Sequence, residues 1–256
     1  MFRYGKKSDY GTLVPPDAST KLYQWHFLQE HLPRWVTPGG RVLEIGAGAV
    51  FAHLLALNVA ERWVADPYDG LAGEGPRQIP DHPPEIIISR CAIGVDSNAL
   101  PSDFFDLVFS CSVLEHVGQK EVGYDCQPTA SPPAAQEIPR DTLCGELNRI
   151  TKVGGIQIHT IDHAARNVSY AANFLNAGFS FLENDPPFSV PAMMADPDAV
   201  RQTRLWNDPG KPLPNPELHT VLMLGFRKVR SHPPASVLPA PRPSPPRETL
   251  FRRLFR

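Results

Sequence analysis

The stretch Val42-Leu43-Glu44-Ile45-Gly46-Ala47-Gly48 decides the fold of this chain. It reads as a short buried strand that runs directly into a glycine turn, and an apolar helix is predicted from about residue 50 to residue 60. In such a turn the glycines let a ligand approach the backbone, and the first turn of the helix favours a negative ligand group. The stretch therefore predicts a strand–helix unit with a ligand site at its turn.

Outward from this unit, strands and helices alternate along the chain. Seven strands are predicted, at 41–45, 62–66, 85–89, 104–110, 156–161, 179–182 and 219–229. Helices are predicted from Asp17 to about Pro33, from about Ser112, at 137–152 and at 164–177. This alternation predicts an α/β fold with a doubly wound, mostly parallel, seven-stranded Rossmann-like sheet. Because a proline-rich loop alone joins the last two strands, the last strand is predicted to be antiparallel.

An acidic residue marks the end of the second predicted strand. Asp66 lies 22 residues after Glu44, where a carboxylate can accept hydrogen bonds from both hydroxyls of a ribose. The third glycine of a dinucleotide fingerprint is replaced by Phe51, which disfavours a pyrophosphate and an NAD-dependent oxidoreductase. A nucleoside cofactor without phosphates still fits, and the plain alternative is that the two glycines only shape a loop.

Several motifs in this order resemble the class I S-adenosylmethionine-dependent methyltransferases. Residues 44–48 resemble the E-x-G-x-G motif of that family. The segments 105–108 and 113–117 (FDLV and VLEHV) resemble its fourth strand and the residues after it, and 147–155 resembles the approach to its fifth strand. The resemblance is good over about 41–160, and it implies S-adenosylmethionine as the cofactor.

The resemblance also implies which residues contact the cofactor. The glycine turn would pass beside its amino-acid part, Asp66 would hold the ribose, and Pro67 would flank the adenine. The family has an acid after the third strand, where this chain reads Cys91-Ala92-Ile93, so either the Ala92 backbone or Asp96 would replace it. The predicted cofactor-binding residues are Glu44, Gly46, Ala47, Gly48, Asp66, Pro67, Ala92, Ser110 and Cys111.

Histidines at the ends of strands are the candidates for a general base. His116 and His163 are the predicted catalytic residues, with His159 and Asp162 close by in the sequence. A structural or cofactor-supporting role is the alternative for His116. The spacing His159-x-x-Asp162-His163 can also be read as metal ligands, but a strand-to-helix turn need not bring them together, and no metal site is predicted.

Proline-rich segments separate a proline-poor scaffold from three insertions and a C-terminal tail. Of 29 prolines, 23 fall in 76–84, 121–140, 184–216 and 233–246. We expect a methyltransferase domain over 1–230 with insertions near 70–84, 121–136 and 184–216. The third insertion is interpreted as a lid over the acceptor site, with Trp206 as a wall, or alternatively as disordered. Residues 231–256 are predicted to be a disordered proline-rich linker with a short basic amphipathic tail.

Charge and targeting signals narrow the functional class. A net charge of −2 gives no basic footprint for nucleic acid, so no nucleic-acid partner is expected. The four cysteines form no C-x-x-C pair, and neither a secretory signal nor an apolar stretch long enough to span a bilayer is visible. We expect a soluble cytoplasmic protein. Contact of residues 249–256 with a membrane surface would make it peripheral at the membrane, and the alternatives are contact with a protein partner or a plain disordered end.

Two functional hypotheses follow from these observations. The first is a methyltransferase that transfers a methyl group from S-adenosylmethionine to a small-molecule, sugar or lipid-linked acceptor at oxygen. The second is a non-catalytic module of the same fold that binds the cofactor or tethers partners. Labelled methyl appearing in a product would separate them.

Overall fold

The fold is an eight-stranded mixed sheet with helices packed on both faces, seen in a computed structural model of the chain. The structure describes residues 1–14, 20–46, 51–68, 78–117, 138–162, 164–203, 210–212, 216 and 220–231. The predicted doubly wound α/β architecture is confirmed, with one strand more than the seven expected. Trp206, His163, Ala47, Gly48 and the tail 249–256 lie outside the described residues, so what was expected of them stays a prediction.

The regular elements follow in chain order. The strands are Phe2–Tyr4 (β1), Arg41–Ile45 (β2), Glu61–Ala65 (β3), Ile86–Ser89 (β4), Phe105–Cys111 (β5), Thr151–Ile161 (β6), Phe179–Phe181 (β7) and Leu222–Lys228 (β8). The helices are Thr20–Trp35 (α1), Ala52–Leu55 (α2), Arg140–Ile150 (α3), Ala164–Asn167 (α4), Tyr170–Asn176 (α5) and Val190–Ala195 (α6). None of the helices among the described residues is long and apolar enough to cross a membrane.

The strands lie in the order β1-β8-β6-β5-β2-β3-β4. From β4 to β6 all neighbours are parallel, while β8 runs antiparallel to β6 as the sequence predicts. The carboxyl ends of five strands therefore meet at one edge of the sheet, where open α/β sheets bind their ligands. Four of the five β2 residues are buried, which suits a central parallel strand covered on both faces.

Two hydrophobic layers enclose the sheet. Leu147 of α3 and Phe174 of α5 belong to the layer on one face, and Phe27 of α1 and Leu54 of α2 belong to the layer on the other. Because side chains alternate along a strand, Leu43 and Ile45 face the first layer while Val42 and Glu44 face the second. This alternation decides which side chains can share a site.

The helices differ from the sequence prediction in their bounds. In α1 the side chains of Tyr23, Gln24 and Phe27 are buried, whereas Leu22 and Trp25 are 38% and 36% exposed. The helix expected at 50–60 is reduced to the four residues of α2. Residues 114–117, where a helix was expected, form a turn.

The third insertion packs beside the first strand. β1 and β7 lie end to end on the outer edge of β8, opposite its first and second halves. The hydroxyl of Tyr4 donates to Asp196 over 2.6 Å, and the backbone of Lys6 bridges to Ala199. Residues 184–203 of the insertion are thus fixed to the N-terminal residues, and a role as a lid stays a prediction.

Candidate active site

The turn after β2 requires glycine at its first position. Gly46 has φ of +69°, and a Cβ added to it would lie 2.6 Å from Cγ2 of Val113. Its N–H donates to the carbonyl of Ala65 at the end of β3, over 2.9 Å. The turn therefore passes close to the residues after β5 with no room for a side chain.

Asp66 is held at the end of β3 by the neighbouring strand β4 and by the turn that follows it. Its N–H donates to the carbonyl of Ser89 at the end of β4 (3.2 Å), and its Oδ1 accepts from the N–H of Tyr68 over 2.8 Å. The side chain is buried at 8% exposure, and half-buried Pro67 lies between the two residues of this turn. A carboxylate is thus fixed beside the glycine turn, as the sequence predicts for a ribose ligand.

Glu44 is a second buried carboxyl group on the same side of the sheet. Its partners in register are Val64 and Phe109, so Asp66, two residues after Val64, shares its face. Burial raises the pKa of Glu44 to about 8, and its Oε2 makes no hydrogen bond. This oxygen fits a site that a bound polar group would complete, because buried acceptors are rarely left unsatisfied.

Tyr68 is a residue of this site that the sequence interpretation missed. Its side chain is 1% exposed and its hydroxyl makes no hydrogen bond. Burial raises the pKa of Tyr68 to about 12, and the carboxylates of Asp66 and Glu44 act in the same direction. The phenol therefore stays protonated at neutral pH and lies within electrostatic reach of both acids.

The turn after β4 is closed by its own residues. The N–H of Ala92 donates to Oδ1 of Asp96 over 2.6 Å, and the carbonyl of Ala92 accepts from the N–H of Val95 and of Asp96. The two residues considered as substitutes for the family's acid are thus bonded to each other. Their contact with an adenine stays a prediction.

Ser110 and Cys111 face opposite sides of the sheet. Ser110 contacts Nδ1 of His159 over 2.8 Å, and Nε2 of that ring contacts Oε1 of Gln157 over 2.6 Å. Because an amide oxygen can only accept, Nε2 carries the proton and the Ser110 hydroxyl donates to Nδ1. Burial lowers the pKa of His159 to about 3, so this ring is a packed structural group and is not placed to act as a base.

Cys111 lies on the Glu44 side. Burial raises the pKa of its thiol to about 12, with the charges of Asp162 and Glu44 adding to the effect and that of Lys21 opposing it. Cys111 is therefore a neutral thiol, and its Sγ lies 3.7 Å from Oε1 of Gln24. The predicted role of Ser110 and Cys111 beside the cofactor stays a prediction, with only Cys111 on the side of the two acids.

Asp162, at the end of β6, is the centre of a polar network with α1. Nε2 of Gln24 donates to its Oδ1 over 3.0 Å, and the hydroxyl of Ser112 lies 3.0 Å from its Oδ2 and 2.8 Å from Oε1 of Gln24. Nζ of Lys21 stands 3.8 Å from Oδ2. We refer to Lys21, Gln24, Ser112, Glu115 and Asp162 as the Asp162 network.

Glu115 is hydrogen-bonded to the backbone of Asp162 in this network. Its Oε1 accepts the N–H of Asp162 over 2.7 Å. Burial raises the pKa of Glu115 above its ordinary value, the neighbouring Asp162 carboxylate acts in the same direction, and the Lys21 ammonium opposes them. Lys21 and Asp162 form an ion pair at this end of the sheet, over 3.8 Å.

His116 is the predicted catalytic residue that the structure places beside the network. Burial lowers its pKa and the Lys21 ammonium lowers it further, while the Asp162 carboxylate acts in the opposite direction. The imidazole is therefore neutral at pH 7 and able to accept a proton. Among the described residues no cluster of three metal-ligating side chains is present.

Lys21 and Gln24 were missed because the sequence signal was faint. They lie three residues apart and so share one face of α1, but polar residues at that spacing are ordinary on a helix surface. The burial of Gln24, which is fully enclosed, depends on how α1 packs across β5 and β6.

Comparison with known proteins gives structural neighbours only. No protein-family profile and no curated protein matches the chain. A protein from Galdieria sulphuraria, provisionally named a sarcosine dimethylglycine methyltransferase, is similar with a TM-score of 0.50 at 11% identity, over 81% of this chain and 86% of its own. The N-methyltransferase NodS from Bradyrhizobium japonicum, solved with S-adenosylhomocysteine, has a TM-score of 0.48 at 14% identity, over 84% and 90%.

Because the sequence identities are this low, the similarity concerns the fold and not the activity. The Galdieria likeness extends over most of both chains, which agrees with the strand order and the antiparallel β8 described above. The chain therefore shares the doubly wound fold of a structure named as a methyltransferase.

Proposed function

We propose that this protein is an S-adenosylmethionine-dependent methyltransferase that acts at oxygen on a small-molecule, sugar or lipid-linked acceptor. The observation that carries the proposal is the pair of buried carboxyl groups, Glu44 and Asp66, on one face beside the Gly46 turn. A nucleoside with hydroxyl and ammonium groups, and without phosphates, suits two acids better than a pyrophosphate does.

The described residues fit such a cofactor in two respects. The space that a Cβ would fill at Gly46 is closed by Val113, so only bare backbone can line this side of the site. Oε2 of Glu44 is a buried acceptor still to be satisfied. Asp66 would bind the ribose, and Pro67 would lie against the adenine. When bound, the cofactor supplies an activated methyl group.

The chain's own contribution would then be orientation and proton removal. Positioning of reactants supplies roughly 7–11 kcal/mol in well-oriented systems. A hydroxyl acceptor gains from a base, and the neutral His116 beside Lys21 and Asp162 is suited to that role. His163 is the other candidate. This need for a base is the reason to propose oxygen as the atom that is methylated.

The proposal is tested in two steps. Isothermal titration calorimetry with S-adenosylhomocysteine should show binding, and the double variant Asp66→Ala with Gly46→Val should abolish it. A methyl-labelled donor is then incubated with a panel of small-molecule, sugar and lipid-linked alcohols. Unchanged binding by the double variant would contradict the site, and binding without label in any product would favour the non-catalytic module.

A further inference from the structure

Tyr68 is turned into the protein by a constrained backbone. Its φ of +51° lies in the left-handed region, which bulky residues rarely adopt. The bond from its N–H to Oδ1 of Asp66, over 2.8 Å, closes the turn that imposes this conformation. Strained residues of this kind concentrate at ligand sites, where the surroundings hold them in place.

Although the Tyr68 side chain points into the protein, its hydroxyl has no hydrogen-bond partner among the described residues. The Tyr68 side chain is 1% exposed. A buried tyrosine normally finds a partner for its O–H. Phenylalanine would pack equally well at this position, so the buried hydroxyl indicates a hydrogen bond to a bound ligand.

A second oxygen without a hydrogen bond lies on the same side. Oε2 of Glu44 makes none, and Glu44 is 4% exposed. The register of β2 and β3 sets Glu44 against Val64, two residues before Asp66 on one face. The Tyr68 phenol lies within electrostatic reach of the Glu44 carboxyl group.

We infer that the Tyr68 hydroxyl and the Glu44 carboxyl group together bind one hydroxyl of the cofactor's ribose, and that Tyr68 is a specificity-determining residue for the donor. A hydroxyl has one proton to donate and lone pairs that accept. It can therefore donate to Oε2 of Glu44 and accept from the phenol at once, which an ammonium group cannot do. This inference rests on the proposed function.

The variant Tyr68→Phe tests it because it removes a single oxygen. We expect the affinity for S-adenosylhomocysteine to fall about tenfold, the effect of one lost hydrogen bond to a ligand. Titrations with the 2′-deoxy and 3′-deoxy analogues should show the loss disappearing for whichever analogue lacks the bound hydroxyl. At the same time the melting temperature of the ligand-free variant should rise by about 2–4 °C, because a buried hydroxyl without a partner is removed.

A merely structural phenol would behave differently. It would lower the melting temperature of the free variant and leave the three affinities unchanged, and either result overturns the inference. The matched control is Tyr10→Phe, since Tyr10 lies in the N-terminal segment against Tyr23 of α1 and should leave all three affinities at the wild-type level. Failure of the wild-type protein to bind S-adenosylhomocysteine would remove the proposed function itself, whereas equal binding by wild type and Tyr68→Phe would remove only this inference.

Discussion

Gln24 of α1 donates from Nε2 to Oδ1 of Asp162 over 3.0 Å, and this bond ties the first helix to the end of β6. Both side chains are buried, and Oε1 of the same amide lies 2.8 Å from the Ser112 hydroxyl. The helix thus closes the edge of the sheet at which the candidate base, His116, stands. The position of α1 therefore depends on this polar contact in addition to its buried apolar side chains.

Replacing Gln24 by leucine should therefore destabilise the protein. The change leaves the buried Asp162 carboxylate short of one donor, at a cost of about 1–3 kcal/mol. Urea unfolding followed by circular dichroism measures it. The control is Lys21→Met, whose ammonium is 3.8 Å away and 34% exposed, so its loss should cost less than about 1 kcal/mol. Equal losses for both variants would contradict the role given to Gln24.

Gly46→Ala should destabilise the protein for two separable reasons. The left-handed backbone costs an alanine about 1–2 kcal/mol, and its Cβ would meet Cγ2 of Val113 at 2.6 Å. The double variant Gly46→Ala with Val113→Ala removes the second cost and keeps the first. Thermal unfolding should therefore show the double variant losing less than the sum of the two single losses, and strict additivity would exclude the contact.

The glycine turn could be predicted from the sequence because its signal is local. An apolar strand, an acid and two glycines determine β2, Glu44 and Gly46 within a few residues, and the observed strand has the predicted bounds. Asp66 follows by the same reasoning, one strand later. Tyr68 could not be found, since its importance depends on a turn conformation and on a neighbour from another strand.

Long-range packing accounts for most of the remaining differences. β1 has three residues, and its partner β8 lies more than 200 positions away, so no local pattern predicts it. The sequence predicts this strand only from residue 156, but β6 begins at Thr151 and runs through Gly154 and Gly155, with an irregular register opposite β5. Glycines inside a strand accommodate such bulges.

The contribution of Glu44 to the stability of the protein should decrease as pH rises from about 4.5 to about 8. Its pKa is raised by burial to about 8 from an ordinary 4.5, so the unfolded chain loses this proton first. The contribution is complete below pH 4.5 and is lost as pH rises through 8, at about 1.4 kcal/mol for each unit of pKa shift. Among the described residues, Tyr68 and Cys111 interact electrostatically with Glu44, and both stay neutral over this range.

Glu44→Gln isolates this effect. Denaturant unfolding at several pH values should show the variant gaining stability relative to wild type as pH rises from 5 to 8, because the amide has no proton to lose. Glu115 titrates in the same direction in both proteins and cancels in the difference. A difference between the two proteins that does not change with pH would show that Glu44 is not held protonated by burial.

His116 should set the acid limb of the methyl-transfer rate. Its pKa is lowered by burial and by Lys21, so the neutral, proton-accepting form persists below pH 6.5, the ordinary value. His116→Gln should reduce kcat by about 10²–10⁴-fold and leave the affinity for S-adenosylhomocysteine unchanged. The exposed His82→Gln serves as the control and should keep the wild-type rate.

The variant Lys21→Met tests whether His116 is the group that titrates in the rate. Removing the ammonium in Lys21→Met should raise the His116 pKa, since the lowering charge is gone while the Asp162 carboxylate remains. The acid limb of kcat against pH should then move to higher pH in this variant, and the rate at pH 8 should change little. A limb that stays in place would mean that the group titrating in the rate is not His116, and His163 would become the candidate to replace next.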